Sequence, residues 1–188
     1  MNSGILDYST KTIMTSLDSR DKPSTSKRDT YMNTAEKFRK SVIQPVLDQL
    51  GSSNRATEEL LLGTAVQESL NFMYRAQTGG GPAKGYFQME PNTHNDIWDN
   101  FLKYRTDLAD KVLAFLSSPD ADKIEELEHN DKYAAAMARV HYMRVPAALP
   151  KEGDVSAQAE YWKEYYNTHL GAGHPEEYVE KWEKYVAA

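Results

Sequence analysis

The feature that most restricts this chain is the segment at residues 60–66, Leu-Leu-Leu-Gly-Thr-Ala-Val, which is apolar on nearly every side at helical spacing. A surface helix carries one apolar stripe, whereas a helix apolar all round has to be enclosed by other elements. The segment therefore predicts a buried central helix with a domain built around it. Thr57 is expected to cap that helix. Glu58 and Glu59 follow in the first turn, where negative charge suits the helix dipole, and the helix is expected to run to about Phe72.

The flanking sequence supplies the enclosing elements. Phe38, Val42, Ile43, Val46 and Leu47 recur at spacings of three and four, an amphipathic stripe that Pro45 permits only with a kink or break. Residues 51–54 read as a loop. Residues 77–84, with Gly79, Gly80, Gly81 and Pro82, read as a loop or short hairpin. Helical patterns resume after Pro91 and continue at residues 122–128, 131–144, 156–170 and 175–186, broken by Pro119 and Pro146. The expected fold is mainly α, with at most a small β-hairpin at residues 77–87. Residues 1–30 form a polar stretch with too little apolar surface to bury, and are expected to be an extended tail making few contacts with the domain at residues 31–188.

Composition removes several classes of function. With no cysteine among 188 residues, disulfides, thiolate metal sites and cysteine nucleophiles are all excluded. A net charge of -6 argues against a nucleic-acid binder, which normally presents a basic face to phosphates. No stretch approaches the roughly 20 apolar residues of a membrane span. The N-terminus has neither the basic start nor the apolar run of a secretory signal, so a substrate outside the cytoplasm implies another delivery route. The three tryptophans, Trp98, Trp162 and Trp182, are read as core, with Trp162 also placed to line a groove.

One carboxylate stands apart. Glu68 follows the apolar run near the end of the buried helix, where desolvation raises a carboxyl pKa and the helix C-terminus adds negative potential. A carboxylic acid still protonated near neutrality is what glycoside cleavage requires, because the leaving oxygen must gain a proton as its bond breaks. Taken alone the signal is weak, since glutamates late in helices are more often surface residues or ion-pair partners.

Its neighbours strengthen it. Glu68-Ser69 is followed by Gly85-Tyr86-Phe87-Gln88 and Pro91, and later by Tyr166-Asn167 with Gly171 and Gly173. In that order and spacing the chain resembles the lysozyme-like lytic transglycosylase and goose-type lysozyme superfamily over residues 57–173. The resemblance implies a lysozyme-like fold, peptidoglycan glycan strands as the substrate, no cofactor or metal, and Glu68 as the catalytic acid. It also implies that Ser69, Gly85, Tyr86, Phe87, Gln88, Tyr166 and Asn167 bind substrate in one groove. Gln88 and Tyr166 would hold the N-acetyl group and the sugar ring, within about 10 Å of Glu68, and Gly85 would let the backbone approach the sugar. Tyr86 and Phe87 stand where these proteins usually have Leu and Met. Thr168-His169-Leu170 intervenes before Gly171, which puts the contact made by Asn167 in doubt. The resemblance also points to a phage virion setting, in which the tail could dock on other virion proteins.

Competing readings stay open. The product is a 1,6-anhydro end if Glu68 works alone, and a reducing end if Asp96 or Asp99, three apart on one helix face, positions a water. Both aspartates also read simply as solvated acids. His169 and His174 have zinc-like spacing, which His94 and Asp96 could complete, but ordinary surface histidines fit as well. Residues 79–81 lack the lysine and hydroxyl residue of a phosphate loop. A structural virion protein without activity would keep the fold with Glu68 salt-bridged or blocked.

Overall fold

The computed structural model describes residues 30, 34–77, 79–167 and 171–187, and the chain is mainly helical. The expected tail, apart from Thr30, lies outside the described residues, as does His169. Residues 34–38 are α-helical and lead into a π-helical turn, Arg39–Ile43, followed by helix α1 (Gln44–Leu50). The break anticipated at Pro45 is this widened turn. It restarts the α-helix with the proline in the first turn, where a missing N–H leaves no bond unmade.

Helix α2 (Arg55–Ser69) is the central one. Asn54 caps it, not Thr57: the Asn54 side chain accepts from the Thr57 N–H at 2.9 Å and from the Thr57 hydroxyl at 3.0 Å. From Thr57 to Ser69 every residue is buried except Glu68, which keeps partial exposure. Burial of Leu60, Leu61, Leu62 and Val66 contributes about 1.5–3 kcal/mol each. Gly63 has no room for a side chain, because a Cβ there would lie 1.8 Å from the Tyr178 hydroxyl.

The helix ends at Ser69, short of Phe72. Leu70, Asn71 and Phe72 all take left-handed backbone conformations, with φ of 50°, 55° and 65°. Ser69 stabilises this reversal by donating its hydroxyl to the Ala65 carbonyl and accepting from the Phe72 N–H, both at 2.6 Å. The expected hairpin reduces to two isolated bridges, Ala76 with Lys84 and Lys84 with Met89.

The remaining helices are α3 (Pro91–Asn100), α4 (Thr106–Leu113), α5 (Lys123–His129), α6 (Asp131–Met143), α7 (Val155–Trp162) and α8 (Pro175–Tyr185). A second π-helical turn, Lys163–Asn167, extends α7. Helices α6, α7 and α8 and the first π-turn all pack on α2 and enclose it. Glu59 ties in the loop before α7, accepting from the Gly153 N–H at 2.7 Å and from the Gln158 amide at 3.0 Å. Among the described residues no helix is long and apolar enough to cross a membrane.

Candidate active site

Glu68 is half-buried, on a helix that is otherwise core from Thr57 to Ser69. Burial pushes its pKa up to about 7 from an ordinary 4.5. An N–H donated by Trp162 and the nearby Lys181 ammonium pull the other way. The Trp162 Nε1 donates to Glu68 Oε1 at 2.9 Å. Lys181, itself held below its ordinary pKa by burial, donates to the Gln67 carbonyl at 3.3 Å. No ion pair involving Glu68 forms among the described residues.

Trp162 is held in place from two sides. Its ring stacks on Tyr178 with centroids 5.7 Å apart, and a Cβ on Gly173 would come within 2.5 Å of the indole. The second glycine of the late motif therefore makes room for the side chain that binds Glu68. From the sequence Trp162 reads only as core or groove wall, and Lys181 carries no signal at all. No local spacing in the sequence marks either one, because both reach Glu68 from elements distant in the chain.

Tyr166 stands beside Glu68, whose negative charge, added to burial, raises the Tyr166 pKa well above its ordinary value. The Tyr166 hydroxyl donates to the Phe87 carbonyl at 2.8 Å, which joins the late motif to the Gly85–Gln88 segment. Its ring packs against Tyr142 and, edge to face, against His141. The structure thus brings Glu68, Tyr166 and the Phe87 backbone together.

The other expected substrate contacts take different parts. Ser69 is fully buried and holds the left-handed turn, so it has no face toward a ligand. Gly85 allows a close backbone approach by the Leu127 carbonyl, 2.0 Å from where a Cβ would lie. Phe87 is 1% exposed, so its ring is core and only its carbonyl reaches the site. Tyr86 sits edge-on to Phe38 and Phe72 with the Arg75 guanidinium 3.9 Å above its ring. Gln88, with φ of 44°, spends its amide N–H groups on the Gly85 and Arg75 carbonyls, which leaves Oε1 as its available atom. Asn167 accepts from Lys163 at 2.8 Å, and the same ammonium donates to the Gly171 carbonyl, so Asn167 braces its own turn.

The two aspartates separate. Asp96 accepts from the Asn100 amide and is paired with Arg144, which hold its carboxyl below the usual range in that order, while Asp99 is exposed. His94 is buried, with Nε2 2.8 Å from the Tyr133 hydroxyl, and it joins no metal-binding group with Asp96 or His174. Glu125, Glu128 and His129 lie close together, and the Lys84 ammonium is bonded to both carboxylates at 3.3 and 2.7 Å. A cavity of about 600 Å³ opens next to the site, lined by Asp96, His141, Arg144 and Tyr165 among others. Glu68 is not in its wall; His141, packed on Tyr166, connects the two.

Comparison of the chain with known protein families, with curated proteins and with solved structures finds no match.

Proposed function

We propose that the protein is a lysozyme-like peptidoglycan lytic transglycosylase in which Glu68 is the single acid–base group. The observation that carries the reading is one carboxyl on a buried helix, with burial pushing its pKa up to about 7 and, among the described residues, no carboxylate acting on it. At that pKa both protonation states are accessible near neutrality, as a group that gives a proton and then takes one back requires.

In the first step the protonated Glu68 gives its proton to the oxygen between N-acetylmuramic acid and N-acetylglucosamine as the bond to the anomeric carbon breaks. The resulting carboxylate, stabilised by the Trp162 N–H and by Lys181, then takes the proton of the muramic acid 6-hydroxyl. That oxygen closes on the anomeric carbon, which gives a 1,6-anhydro end without consuming water. Ordinary glycosidases place two carboxyl groups about 5–9.5 Å apart. Among the described residues Lys181 is the one charged group that acts appreciably on Glu68, which favours the single-carboxylate route over water directed by Asp96 or Asp99. Tyr166 and the free Oε1 of Gln88 are the groups offered to the sugar.

Glu68→Gln should abolish cleavage of purified peptidoglycan, by about 10⁴-fold or more since one group makes both transfers. Mass spectrometry of the wild-type products should show anhydro ends. A Glu68→Gln protein digesting at near wild-type rate removes Glu68 from the mechanism. The inactive structural alternative requires a salt-bridged or blocked Glu68, and the lack of an ion pair to Glu68 among the described residues speaks against the salt-bridged form. A phage virion setting, implied by the resemblance, belongs to the same proposal and is tested by finding the protein in purified particles.

A further inference from the structure

We propose that the cavity beside Glu68 is a subsite for the peptide carried by muramic acid, so that the protein selects peptide-bearing glycan over bare strands. This inference rests on the glycan-cleaving reading above and adds what the substrate must carry.

The argument begins with the charges in the wall. Arg144 donates through Nη2 to Asp96, and the two side chains remain 28% and 46% exposed. Among the described residues no side-chain acceptor other than Asp96 engages the guanidinium of Arg144, which lines the opening, so most of its five N–H donors have no side-chain partner. Bare sugar needs only neutral hydrogen-bonding groups. An ion pair left half-open on a cavity wall suits a ligand that carries a carboxylate and an ammonium a few ångströms apart. The peptides of bacterial wall have that chemistry, with free carboxylates and the amine of a diamino acid. The carboxylate would meet the Arg144 fork and the ammonium would meet Asp96.

The remaining wall fits the rest of such a chain. Val145, Pro146 and Tyr165 give an apolar surface for alkyl segments, and Asn92 and Thr93 offer neutral polar groups for peptide amides. About 600 Å³ lies within the range for ligands larger than one sugar ring. The position is also suitable. His141 lines the cavity and packs on Tyr166 at 5.0 Å, and Tyr166 stands beside Glu68. A peptide on the muramic acid at the scissile bond would need to cross only that aromatic pair to enter.

The test uses Glu68→Gln protein and two soluble ligands, a disaccharide carrying a diaminopimelate-containing tetrapeptide and the same disaccharide without it. The peptide form should bind about 10- to 100-fold more tightly, the worth of one or two charge-assisted hydrogen bonds. Arg144→Ala and Asp96→Asn, placed in the same background and checked for unchanged melting, should each remove most of that difference. Equal affinity for the two ligands, or a difference that survives both substitutions, overturns the proposal. Wild-type rates on peptide-bearing and amidase-stripped strands separate this inference from its foundation. Stripped strands cut as fast as intact ones would sink the subsite and leave the glycosidase standing. Peptide binding with neither substrate cut would do the reverse.

Discussion

Glu68→Gln should stabilise the protein at neutral pH, and the gain should have a defined pH dependence. Burial raises the Glu68 pKa from 4.5 to about 7, so the folded state holds its proton where the unfolded chain has lost it. Below pH 4.5 both states are protonated and the native glutamate carries no penalty. Between 4.5 and 7 the unfolded state ionises first, and stability falls as pH rises, at about 1.4 kcal/mol per pH unit. Above 7 both states are ionised and the penalty levels off at about 3 kcal/mol, trimmed toward about 2 by the group's partial exposure. Glutamine has the same size, can still accept from Trp162, and never ionises, so it escapes this slope. Chemical denaturation of both proteins at pH 4, 5.5, 7 and 8 should show a gap that widens across the middle of that range and then stays constant. A gap independent of pH, or one that narrows as pH rises, would refute the desolvated setting of Glu68.

Other expectations rest on its supports. Trp162→Phe removes the N–H that stabilises the carboxylate, so the Glu68 pKa should rise by about one unit, the worth of a charge-assisted bond. The alkaline limb of the pH–rate profile should move up with it, and an unmoved limb would deny Trp162 this part. Gly85→Ala should cost more than the about 1–3 kcal/mol typical of overpacking, because the new Cβ meets a backbone carbonyl at a left-handed position; the melting temperature reports it. Ser69→Ala should cost about 1–3 kcal/mol by leaving the Phe72 N–H unpaired, measured by denaturation, and Ser69→Thr should recover part of it.

The central helix is legible because the run at residues 60–66, polar only at Thr64, leaves no surface-helix alternative, and Glu68 is legible because it carries a charge just beyond that run at the helix end. The start of the helix misled because Asn54 and Thr57 are both good caps three residues apart, and the periodicity does not choose between them. The early stop at Ser69 depends on a side-chain hydroxyl turning back on the backbone, which no hydrophobic pattern encodes. The structural parts taken by Gly85 and Phe87 are hidden for a different reason. A glycine signals that something comes close without naming it, and here the neighbour is the Leu127 carbonyl. Trp162 and Lys181 escaped notice because their bearing on Glu68 arises only when α7 and α8 dock on α2.

That every residue between Thr57 and Ser69 except Glu68 is buried bears on how the protein wears out. Residues on loops or lids can drift out of place in local openings that cost little, so sites built on them fade before the molecule melts. Glu68 has no such independence, since to move its backbone is to lift a helix out of the core. Its amide and those before it should exchange with deuterated water only through openings close to global unfolding. Loss of activity on heating should then coincide with loss of the fold, with no native-like but inactive species accumulating between them.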